Sequence, residues 1–81
     1  MQKTAIKNDK RLYKLKYWRE FVGLKQEDIA ALLGCKTSNY CQKERGNTGI
    51  RLSEILKIHK VINQRLANLG EPQITLDELI R

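Results

Sequence analysis

The chain has 81 residues, 41% apolar and 31% charged, with one proline and a formal net charge of +7. That is the composition of one folded domain with a modest core and a well-solvated surface. It contains no apolar run near the roughly 18 residues of a transmembrane helix, no uninterrupted apolar stretch of a signal peptide and no metal-ligand spacing around Cys35 and Cys41.

These exclusions predict a soluble, intracellular protein whose two cysteines stay free thiols in a reducing cytosol, with no membrane partner, no metal and no cofactor. The positive charge is one-sided. Eleven basic side chains against five acidic ones precede Gly46, so that half carries +6 of the +7. Such an excess suits a polyanion, because counterions released from phosphates drive association. Charge alone leaves a merely soluble basic surface equally open.

Residues 1–10 are polar and aperiodic, which predicts a flexible basic arm carrying Lys3, Lys7 and Lys10. From Arg11 to about Val22, the apolar residues Leu12, Leu15, Trp18 and Val22 recur at helical spacing, and Gly23 stops the helix. Leu24 then turns inward. A second helix runs from about Gln26 to Leu33, with Glu27 and Asp28 complementing the positive end of its dipole. Gly34 ends it after two turns. A third helix starts about three residues later and stops at Gly46, followed by a loop with Asn47, Thr48 and Gly49 as breakers.

The stretch from Leu52 to about Leu69 is apolar-periodic and reads either as one helix or as two with a bend near Asn63. Gly70 caps it and Pro72 prevents its continuation. Thr75, Leu76, Asp77 and Glu78 fit a capping box that opens a last short helix through Leu79 and Ile80. The fold class is therefore all-α, a compact bundle of about five helices, with residues 11–81 forming one domain.

The most informative stretch is QEDIAALLGCKTSNYCQKER, Gln26 to Arg45. Two short helices that cross at a tight turn need a small residue at the crossing, a flexible turn residue and apolar contacts on both sides. Ala30, Gly34 and the set Ile29, Leu33, Cys35 and Tyr40 meet those needs. This pattern resembles the helix-turn-helix of the Cro and phage-repressor (Xre) family. WREFVGLKQEDIAALLG resembles its first helix, turn and second helix, KERG the end of its recognition helix, and TLDEL its closing segment. Lys43 departs from the pattern, standing where an apolar residue is common, and the stretch from Asn63 to Ile74 is longer than the usual connection.

The resemblance implies a lambda-repressor-like domain whose third helix enters the major groove of double-stranded DNA. Lys36, Thr37, Ser38, Asn39 and Gln42 then become the base-reading residues, with Gln42 suited to adenine because an amide pairs bidentately with it. Thr37 and Ser38 fit helix capping equally well. Gln26, at the start of the second helix, is the phosphate clamp by resemblance. Lys43, Arg45, Asn47 and Arg51 are further phosphate contacts. Arg19 and Glu44 match family positions that pair across the first and third helices as a structural ion pair. Trp18 and Tyr40 are read as core, with a phosphate contact from the Tyr40 hydroxyl as the alternative, and His59 is given no role.

The function implied is a sequence-specific transcriptional regulator, a repressor occupying a palindromic operator as a homodimer in the cytoplasm of a bacterium, as a Cro-like, restriction-modification control or antitoxin protein. Ile74, Leu76, Leu79 and Ile80 either form the dimer surface or close the core. The alternative is a protein-interaction module of the same fold, which an exposed apolar face at Ile58, Ile62 and Leu66 would favour. No nucleophile–base pair or phosphate-cradling glycine loop points to an enzyme.

Overall fold

A computed structural model describes residues 11–80, so the arm expected over residues 1–10 and the terminal Arg81 lie outside the described residues. Five helices follow in order: α1 (Tyr13–Phe21), α2 (Gln26–Leu33), α3 (Thr37–Arg45), α4 (Leu52–Asn68) and α5 (Leu76–Ile80), with no strand among the described residues.

α1 begins two residues later than its periodicity suggests. The Leu12 N–H is taken by the Glu44 carbonyl at 2.9 Å, and its backbone (φ −92°, ψ 72°) is not helical. This bond ties the entry to α1 to the last turn of α3. The helix stops at Gly23, whose φ of 78° needs the freedom of a residue without Cβ.

α2 and α3 are joined by only Gly34, Cys35 and Lys36. Gly34 takes φ 73°, and the N–H groups of Gly34 and Cys35 bond back to the carbonyls of Ala31 (3.2 Å) and Ala30 (3.0 Å). That closure satisfies two orphan carbonyls and turns the chain directly into α3.

α4 is a single helix of 17 residues, with no break at Asn63. Asn63 acts on the following loop instead. Its Oδ1 accepts from Ile74 N at 2.9 Å and its Nδ2 donates to Ile74 O at 3.0 Å, while His59 Nε2 lies 2.8 Å from that same carbonyl. The stretch from Asn63 to Ile74 therefore returns onto α4 and fixes where α5 begins. Thr75 and Glu78 exchange backbone-to-side-chain bonds of 2.8 and 3.1 Å across the first turn of α5. Trp18 Nε1 donates to the Glu78 carbonyl at 3.2 Å, docking α5 on α1.

The core joins all five helices: Leu15, Val22, Leu24, Ile29, Ala30, Tyr40, Ile55, Ile58, Ile62, Leu66, Ile74 and Leu79 are buried together. The apolar pattern leaves two choices open, and the packing decides both. Ile74 and Leu79 belong to this core rather than to a dimer surface, because Asn63 and Trp18 draw their segment inward, and Leu76 is half-buried against it. Of those four residues only Ile80 is exposed. Ile58, Ile62 and Leu66 are fully buried, so they offer no free apolar face. The exposed apolar side chains lie elsewhere, as Tyr13, Tyr17 and Phe21 on α1 and Leu52 and Leu56 on α4.

Candidate nucleic-acid interface

α3 has two faces of opposite character. Its inner face carries Tyr40 and Glu44, one helical turn apart and both buried. Glu44 receives four hydrogen bonds. Arg19 donates from Nε at 2.6 Å and from Nη2 at 3.2 Å, the Tyr40 hydroxyl at 2.7 Å, and Gln26 Nε2 at 3.1 Å. Arg19 also donates from Nη1 to the Leu24 carbonyl at 2.8 Å. Side chains from α1, α2 and α3 thus meet on one carboxylate.

The electrostatics follow from this geometry. Burial on its own would push the Glu44 carboxyl up, but bonds from Arg19, Tyr40 and Gln26 outweigh it and hold it below the ordinary carboxylate range. Burial opposes the Arg19 charge, yet the Glu44 carboxylate more than compensates and its pKa is raised. The Tyr40 phenol is pushed up by burial first and then by its bond to Glu44. The hydroxyl is committed inward, so it is not presented to a phosphate.

The outer face is polar. Lys36, Thr37, Ser38 and Asn39 are all exposed at the start of α3. The N-cap position belongs to Lys36, and no side-chain bond caps this end. Thr37 and Ser38 therefore sit inside the first turn rather than serving as its cap. Gln42, one turn on, is half-buried, and its Oε1 accepts a 2.6 Å bond from Asn47 Nδ2.

The residues expected on phosphates divide. Gln26 is the first residue of α2, with its amide nitrogen on Glu44. Lys43 is engaged within the chain, its Nζ 3.3 Å from Glu54 Oε1 and 3.1 Å from the Gly49 carbonyl. The Glu54 carboxyl is lowered, first by its bond from Arg51 N and then by Lys43. Arg45 and Arg51 are exposed. Arg45 lines a cleft of about 500 Å³ shared by Arg11, Lys16, Gln26, Cys41 and Asn47.

Lys16 in that cleft was not singled out from the sequence. It stands one turn before Arg19 on α1, so its helical phase carried the signal once Arg19 was assigned to the face toward α3. Lys25 is similar: it lines a second groove with Lys16, Gln26 and Thr37. Among the described residues, no group of His, Cys, Asp or Glu is arranged to hold a metal ion, and no helix is long and apolar enough to cross a membrane.

The arrangement can present a rigid polar helix end to a partner, with cations beside it and its one buried carboxylate fully satisfied from within. No family model, no curated protein and no solved structure matches the chain.

Proposed function

We propose that this chain is a sequence-specific, double-stranded DNA-binding transcriptional regulator of the helix-turn-helix kind, a repressor that occupies a palindromic operator as a homodimer. The observation that carries the reading is the contrast across α3. Lys36, Thr37, Ser38 and Asn39 stand exposed on a helix whose inner face is fixed to α1 and α2 through Glu44. A braced helix with polar tips and no acid in its first turn suits the major groove, about 12 Å wide and rimmed by phosphates.

The lambda-repressor-like arrangement and membership of the Xre family belong to this proposal. They rest on the sequence resemblance and on the short turn at Gly34. Lys16, Arg45, Arg51 and the start of α2 supply phosphate contacts. One nine-residue helix reads too few base pairs for genomic specificity, which is the reason for a two-fold pair of chains. The reading places the protein in a bacterial cytoplasm with the nucleoid, and it calls on no cofactor and no catalysis.

A protein partner is the second reading. It is favoured by the exposed aromatic row of Tyr13, Tyr17 and Phe21, in which Tyr17 and Phe21 stack at 6.1 Å. Selection of bound sequences from randomised duplexes separates the two. The proposal expects a two-fold symmetric consensus; no enrichment over input overturns it and leaves the protein-partner reading.

A further inference from the structure

Lys43 follows Asn39 by four residues, so the two share one stripe of α3. A cation there has the address of a phosphate contact, yet its amine is already committed. Nζ donates to the Gly49 carbonyl at 3.1 Å and lies 3.3 Å from Glu54 Oε1. The same carboxylate oxygen accepts from Arg51 N at 2.9 Å. The Lys43 and Glu54 side chains are 17% and 20% exposed, so little of either is left open to a ligand.

Core packing aside, Lys43–Glu54 is the one hydrogen bond or ion pair between α3 and α4 among the described residues. It also spans the loop that joins them. The first part of the loop is tied back to α3, through Gly46 N on the Lys43 carbonyl at 3.1 Å and Asn47 N on the Gln42 carbonyl at 2.9 Å. The last part is tied to α4 through Arg51 N on Glu54. Gly49 lies between the two, and the Lys43 amine holds its carbonyl. Arg51 is exposed at the N-cap of α4, so the point from which its side chain sets out, relative to α3, depends on this clasp.

We infer that Lys43 and Glu54 are positioning residues: their clasp holds Arg51 in register with α3 for a DNA phosphate, and Lys43 gives no charge of its own to the DNA. The inference rests on the DNA-binding reading above. A loop already held in its bound geometry need not be ordered when DNA arrives, and that saved ordering appears as affinity. Glu54, which carries a charge unfavourable to DNA, then serves binding by what it holds in place.

The test opens the clasp with Lys43→Met and Glu54→Gln together, in the wild type and in an Arg51→Gln background, and measures affinity for a duplex enriched by selection across a range of salt. Methionine keeps the stem, glutamine keeps the capping bond from Arg51 N, and no unpaired charge is left. The opened variant is expected to fold, because a part-exposed ion pair adds little to stability. Opening the clasp in the wild type should weaken binding about two- to tenfold, the cost of ordering one side chain on association. With Arg51→Gln already present, opening it should weaken binding less than twofold, on the order of the error in adding independent effects. The slope of log K against log salt should then also stay as it was, since Lys43 releases no counterion. Equal weakening in both backgrounds is what a merely structural role predicts, and it overturns the inference. No weakening in either background does the same. A slope lower by about 1 in the Arg51→Gln background would make Lys43 itself a phosphate contact and also overturns it. Each of these results leaves the DNA-binding reading standing. If the wild-type chain enriches no duplex at all, that reading falls and takes the inference with it.

Discussion

At Glu44, a buried carboxylate is balanced by one cation and two neutral donors, Arg19, Tyr40 and Gln26. Both members of the ion pair are 5% exposed. Removing the cation leaves the carboxylate uncompensated in a low-dielectric site, so Arg19→Met should destabilise the fold by about 3–5 kcal/mol in chemical denaturation. A loss below about 1 kcal/mol would mean the pair is screened as a surface bridge would be. The same group sets an acid limit. Its native pKa is depressed, so its contribution is complete above the unfolded value of about 4.3 and is lost as pH falls through the lower native value. Tyr40 is shifted the other way, so its contribution holds below about pH 10 and fades above it. The melting temperature should be level from about pH 6 to 9 and fall below about pH 4. Glu44→Gln should flatten the acid-side fall; an identical acid profile in that variant would assign the fall to other carboxylates.

Among the elements, much was legible because short-range signals dictated it. Gly23, Gly34, Gly46 and Gly70 all take positive φ, between 73° and 80°, and each closes a helix; for the polar α3 the glycines at its two ends, rather than apolar spacing, marked the element. The capping pair Thr75 and Glu78 was equally local. Long-range polar contacts were not legible. Asn63 looked like a possible bend because a polar residue interrupts the apolar rhythm. Its partner is the backbone of Ile74, eleven residues on, and no periodicity marks such a bond. The same bond explains why Ile74 and Leu79 fill the core, a choice the apolar pattern alone left open. Asn63→Ala should leave the Ile74 N–H without its acceptor, while His59 keeps its contact with the Ile74 carbonyl, and cost about 2 kcal/mol. Hydrogen exchange should quicken in α5 well before it does in α2 and α3. Uniform quickening would show that the Asn63 contact does not set the placement of α5.

For the whole molecule, the uneven charge acquires a location. Lys16, Lys25 and Arg45 border the clefts beside the first turn of α2, while Lys43 is paired with Glu54. Charge counting treated these cations alike, since pairing depends on contacts between distant residues. The pairing of Arg19 with Glu44 is implied by the resemblance and not by the charge pattern, because 25 residues separate the two. If the exposed cations meet phosphates, Lys16→Gln and Arg45→Gln should each weaken specific and random duplexes similarly. Each should also reduce the slope of log K against log salt by about 1 in titrations followed by anisotropy. An unchanged slope would remove that side chain from the contact.

The measurement closest to the central claim is residue-by-residue amide NMR of the full chain titrated with a duplex enriched by selection. The account predicts that the largest shifts fall on Lys36 to Gln42, with the start of α2 and the residues around Asn47 next, and that the exposed face of α1 at Tyr17 and Phe21 stays quiet. Shifts concentrated on that aromatic face, with Lys36 to Gln42 unmoved, would contradict it.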